Sequence, residues 1–172
     1  FRLLTLGWSD GNTFLPINSC LLSSENKKNR ITEAKCLDKR TNGYARRALA
    51  KTKATSVMMQ LIDQAQKANI PASYVLFDTW FCSPSSITQI KKKGFDIIAM
   101  LKKTPKMHFL YNGKMQPITE IYRQNKKRRG KSKYLLSVEI TVIKDLESVP
   151  ARVIYVRNRN KKKDYLALIT TD

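Results

Sequence analysis

Residues 74–101 constrain the fold more than any other stretch, because they spell a strand, a helix and a second strand in close succession. Tyr74-Val-Leu-Phe77 is a short continuous apolar run that fits a buried central strand, and Asp78 stands at its carboxyl end. Ser83-Pro84 supplies a hydroxyl cap and a proline at the first helical position, and Gly94 supplies a stop. Ile87 and Ile90 would face the sheet. Phe95 to Leu101 is a second apolar strand. Parallel strands need such a crossover, so strand 74–78, helix 84–93 and strand 95–101 are predicted to form a βαβ unit whose sheet is buried on both faces.

Two β-rich runs come earlier, Arg2 to Trp8 and Thr13 to Leu22, joined by Ser9-Asp10-Gly11-Asn12. The Asp-Gly pair tolerates the positive φ of a tight turn, which predicts an antiparallel hairpin. Residues 23–50 are polar and basic and read as a surface loop with some irregular helix. From Lys53 to Ala68, Val57, Met58, Leu61, Ile62 and Ala65 recur with helical spacing and make one apolar stripe. Asn112-Gly113 separates two short runs. Tyr134 to Ile143 and Ala151 to Val156 are β-branched runs, which predicts an antiparallel β-rich region. A final strand, Tyr165 to Thr171, would return to the main sheet.

Charge sets the partner. The chain holds 33 basic and 13 acidic residues in 172, a formal charge of +20, well beyond what solubility asks, and a polyanion is the natural partner. Residues 1–101 carry 15 basic and 7 acidic side chains, whereas 102–163 carry 18 and 4. The step falls at Lys102-Lys103-Thr104-Pro105 and suggests a division into a core (1–101), a basic β-rich insertion (102–163) and a returning strand (164–172). No apolar run is long enough for a bilayer and no signal peptide opens the chain. Cys20, Cys36 and Cys82 lack the spacing of a zinc site and read as free thiols in a reducing compartment. The chain begins on a strand-like run without an initiator methionine and ends just after another, as a fragment cut at both ends would.

Phosphoryl transfer on DNA uses two divalent metals held by clustered carboxylates, and in open α/β sheets the carboxyl ends of strands are the place for them. Asp78 would lie there. Two antiparallel strands, a helix, a strand ending in Asp and another helix match an RNase H-like fold that lacks its first strand. Here a resemblance becomes specific. The runs Phe1-Arg-Leu-Leu-Thr-Leu-Gly-Trp-Ser-Asp-Gly11, Leu21-Leu-Ser-Ser-Glu-Asn-Lys-Lys-Asn-Arg30, Tyr74-Val-Leu-Phe-Asp-Thr-Trp-Phe81, Ala99-Met-Leu-Lys-Lys-Thr-Pro-Lys106, Lys126-Lys-Arg-Arg-Gly130 and Val156-Arg-Asn-Arg-Asn-Lys161 resemble insertion-sequence transposases of family four.

That resemblance implies an α/β, RNase H-like mixed sheet without its first strand and its final catalytic helix. It implies a DDE transposase that cuts and joins DNA by cut-and-paste transposition, with Mg2+ or Mn2+, two ions in the intact protein. Asp78 becomes the second acidic residue of the triad, catalytic and metal-binding. The first aspartate would precede Phe1 and the glutamate would follow Asp172, so the chain alone is expected not to cleave or join DNA. A homodimer bridging two DNA ends is implied, in the bacterial cytoplasm at the nucleoid, with no membrane partner.

Each residue also has a plainer reading. Asp78 could simply cap the next turn. Asp10 is explained by the hairpin, and Asp172 closes a strand to which the family assigns no triad role. Trp80 or Phe81 could stack on an unpaired base or pack beneath the following helix. Lys126, Lys127, Arg128, Arg129, Lys131 and Lys133 could grip phosphates or form a solvated loop, and bound DNA would offset their mutual repulsion. Lys102, Lys103, Arg157 and Arg159, with Lys161, Lys162 and Lys163 beside them, invite the same DNA-binding reading. His108 is the sole histidine, and no nucleophile is evident beside it. Two further functions stay open, a non-catalytic DNA-binding remnant of a transposase and an RNase H-like nuclease.

Overall fold

A computed structural model describes residues 2–33, 38–126, 134–161 and 164–172, which divide into two compact units at Pro71 and Ala72. The first unit begins with the hairpin of β1 (Arg2–Ser9) and β2 (Phe14–Leu22), antiparallel with a bulge between Leu6 and Gly7. Its turn is built as the Asp-Gly pair predicts. Gly11 takes φ +97°, and Asp10 Oδ1 accepts the amides of Asn12 and Thr13 at 2.9 and 2.7 Å. At the bulge the ring of Phe14 lies over Gly7, where a β-carbon would come within 2.1 Å of Cζ.

Two helices cover this hairpin. In α2 (Ala54–Lys67) the predicted stripe is buried at Val57, Met58, Leu61 and Ile62, and Val57 and Leu61 join Cys20 and Leu22 in one apolar cluster. The expectation that 23–50 holds only loop and irregular helix is corrected by α1 (Asn42–Ala50), a regular helix capped by Thr41, whose hydroxyl accepts the Tyr44 amide at 3.2 Å. Leu49 packs against the cluster. A polar face around one apolar contact point gave too weak a period to read.

The second unit is a seven-stranded sheet in the order β3-β4-β9-β8-β7-β5-β6. Its strands are β3 (Tyr74–Phe77), β4 (Asp96–Leu101), β5 (Phe109–Tyr111), β6 (Lys114–Gln116), β7 (Tyr134–Lys144), β8 (Glu147–Arg157) and β9 (Tyr165–Thr170). The parallel pair β3 and β4 flanks α3 (Pro84–Lys92), as predicted. The β5–β6 hairpin turns at Asn112 and Gly113, with φ of 48° and 76°. Ile87 and Ile90 of α3 are fully buried, with Ile97, Ala99, Val153 and Ile169 of the sheet. A fourth helix, α4 (Ile118–Asn125), buries Ile118 and Ile121, and Tyr155 Oη donates to the Ile118 carbonyl at 2.8 Å.

Three expectations change here. Strand 74–77 is an edge strand, not a central one, with Tyr74 41% and Leu76 67% exposed. A four-residue apolar run carries no period that separates the two cases. The sheet is likewise not buried on both faces: along β4, Ile97, Ala99 and Leu101 are buried while Ile98 is 39% exposed. Finally, β1 and β2 form a two-stranded sheet of their own, because no described strand pairs with both that hairpin and β3. The charge step at 102 does not interrupt the main sheet, since β9 is hydrogen-bonded between β4 and β8.

Candidate nucleic-acid site at one end of the sheet

Strand direction decides which side chains meet. β3 and β4 run parallel with Phe77 opposite Ala99, so the chain leaves both at the same end of the sheet. β9 enters beside them, with Ala167 opposite Leu101, and β8 leaves there, with Arg157 opposite Tyr165. β7 begins there too, with Tyr134 opposite Val156. One sheet end therefore receives Asp78 to Phe81, Lys102 and Lys103, Arg157 to Arg159, and Asp164.

Asp78 is exposed on the turn after β3. Its Oδ1 accepts the Trp80 amide at 2.9 Å and its carbonyl accepts the Phe81 amide at 3.3 Å. The turn then hands over to α3, where Ser83 Oγ accepts the Ser86 amide at 3.2 Å ahead of Pro84. The plain capping reading and an accessible carboxylate thus coexist. Trp80 is 78% exposed and does not pack beneath the helix, whereas Phe81 is half-buried. Lys102 Nζ stands 6.0 Å from the Trp80 ring centre, the outer limit of a cation–π contact.

Lys103 is engaged differently. Its ammonium pairs with Asp164 Oδ1, donates to the Tyr165 carbonyl at 2.9 Å and lies 4.6 Å from the Tyr165 ring centre. The Lys103 hydrogen bond, followed by the Tyr165 amide, holds the Asp164 carboxyl below the usual range. Behind this end, Tyr122 of α4 stacks at 4.1 Å on Tyr165 and 5.0 Å on Tyr155. Burial first, then the neighbouring tyrosines, pushes the Tyr155 hydroxyl up.

The remaining predicted residues fall as follows. Lys126 is exposed at the end of α4, and Arg157 and Arg159 are exposed at and beyond the end of β8. Lys127, Arg128, Arg129, Lys131 and Lys133, like Lys162, Lys163 and Cys36, lie outside the described residues. Cys20 and Cys82 are free and buried, and burial pushes the Cys82 thiol up to about 12. His108 is exposed just before β5. Asp172 sits at the opposite end of the sheet, accepting the Tyr74 hydroxyl at 2.6 Å, a contact that raises the tyrosine. A concavity of about 400 Å3 also lies away from Asp78, lined in part by Asn112, Glu139, Arg152 and Asp172.

Sequence reasoning missed Asp164 and Asn158. A single acid closing the basic run that starts at Arg157 was the available signal. Among the described residues no three His, Cys, Asp or Glu side chains come together, so one hard oxygen donor, Asp78, does not by itself fit a metal centre. Residues 1–157 match the family model described as DDE superfamily endonuclease, and no curated protein and no solved structure matches the chain.

Proposed function

The chain belongs to the DDE superfamily endonuclease family, and from that premise we propose that it is a segment of an insertion-sequence transposase that cuts and joins DNA. The observation that carries this reading is the meeting of one exposed carboxylate, Asp78, with exposed bases and an exposed indole at a single sheet end. Cutting a phosphodiester needs cations that dock its backbone and carboxylates that would hold metal ions at the scissile bond, and this end offers the cations and one such carboxylate.

Lys102, Lys126, Arg157 and Arg159 neutralise phosphates, and the flat face of Trp80 receives an unpaired base. Residues 102–163, whose described strands continue the sheet of β3 and β4, act as the clamp on the element's end. Magnesium or manganese is the cofactor class for such chemistry. Asp78 contributes one donor, and the other carboxylates come from outside this chain in the intact protein, which works as a dimer on two DNA ends. No helix among the described residues is long and apolar enough to cross a membrane.

The chain by itself neither cleaves nor joins DNA. A second reading makes the parent protein a DNA-binding remnant of a transposase without catalysis, and it draws on the same exposed bases and indole at this sheet end. Both readings predict that the chain binds duplex DNA with a log–log salt slope of about −4, as about four or five phosphate contacts would give. Absent binding, or binding indifferent to salt, contradicts both. Asp78→Asn in the intact transposase separates them: cleavage falls more than about 100-fold if Asp78 is catalytic, since even losing a supporting second-shell group costs 10- to 100-fold. Unchanged cleavage removes Asp78 from the reaction.

A further inference from the structure

Asp164, the one acid between β8 and β9, ties down the described residues of the basic stretch that follows β8. Asp164 Oδ1 takes the Lys103 ammonium from the exit of β4 and the Tyr165 amide at 2.9 Å. Asp164 Oδ2 takes Asn158 Nδ2 at 3.3 Å, and the Asp164 carbonyl accepts the Asn158 amide at 3.1 Å. The Asp164 amide donates to the Lys161 carbonyl at 2.9 Å, while Asn158 Oδ1 accepts the Asn160 amide at 3.0 Å. Three chain segments converge on this carboxylate. Lys103 has its Nζ engaged by Asp164, by the Tyr165 carbonyl and by the Tyr165 ring, whereas its neighbour Lys102 stands over the Trp80 ring.

We propose that Lys103 and Asp164 form a latch that shapes the Arg157–Lys161 turn to present Arg159 and Lys161 to a nucleic-acid backbone, making Lys103 a positioning residue and not a phosphate contact. The proposal rests on the DNA-binding reading of this sheet end. It carries an unusual sign. Removing an acidic charge from a DNA-binding surface ordinarily tightens binding, because one source of repulsion for phosphate is gone. Removing the acid of a latch loosens binding, because the cations it holds in place lose their fixed geometry.

The test uses the whole chain and a labelled random-sequence duplex, with Asp164→Asn and Lys103→Met, each verified as folded by circular dichroism. A latch predicts that Asp164→Asn weakens binding on the order of 5-fold and flattens the salt slope by about 1, as loss of a phosphate contact does. It also predicts that Lys103→Met does the same and that the double variant is no worse than either single one. Equal or tighter binding by Asp164→Asn overturns the proposal. Amide hydrogen exchange across 157–165, measured without DNA, should rise several-fold in both variants, and unchanged exchange overturns the latch independently. Failure of the unaltered chain to bind DNA overturns the functional reading instead, and the exchange result still decides whether the latch exists.

Discussion

Asp78 owes its accessibility to the turn that follows it. One oxygen takes the Trp80 amide, and the chain then passes directly to the capped start of α3, leaving the carboxyl on the surface. Single buried residues hold that geometry. Ile87, with no exposed surface, fills the space between α3 and the sheet, and Ile87→Ala should cost about 2–5 kcal/mol, read as a lowered midpoint of denaturant unfolding. Cys82, buried at the end of that loop just before the Ser83 cap, gives a prediction in pH. Its folded value is raised to about 12 from a reference of 9.0, so its contribution is complete below about pH 9 and is lost as pH rises towards 12. Stability should therefore fall over that window, and Cys82→Ala should make the fall shallower. An identical slope in the variant would show that the thiol ionises freely. The role of Asp78 was suggested by a strand end and by resemblance, whereas its exposure was beyond reach because a turn's hydrogen bonds leave no period in a sequence.

Elements were legible where several local signals agreed. The stripe in α2, the Ser83-Pro84 start of α3 and the Asn112-Gly113 hairpin each combine pattern with capping or turn chemistry. Removing such a signal should be measurable: Ser83→Ala takes away the acceptor for the Ser86 amide and should destabilise the second unit by about 1 kcal/mol in thermal unfolding. An unchanged melting temperature would mean that Pro84 alone starts the helix. The helix α4 went unread because Ile118, Ile121 and Tyr122 fill only two turns beside a basic run, although their spacing of three and four was present. The strand predicted from Ala151 begins earlier, at Glu147. β8 runs through Pro150, whose position opposite Thr141 the hairpin accommodates as the register continues from Val149 to Ala151. The placement of β3 at a sheet edge was invisible for a different reason: edge and centre differ in what pairs alongside, a long-range property that four apolar residues do not encode.

At the scale of the molecule, the charge of +20 pointed to a polyanion before any element was placed. What composition left undetermined is where that partner docks, and strand direction supplies the answer proposed here by bringing the ends of β3, β4 and β8 to one side. The most direct test is a two-dimensional amide NMR titration of the chain with a short DNA duplex. Docking at the Asp78 end predicts that the largest shifts fall on Asp78 to Phe81, Lys102, Lys103 and Arg157 to Lys161. Shifts concentrated around Glu139, Arg152 and Asp172 at the far end, or none at all, would contradict it.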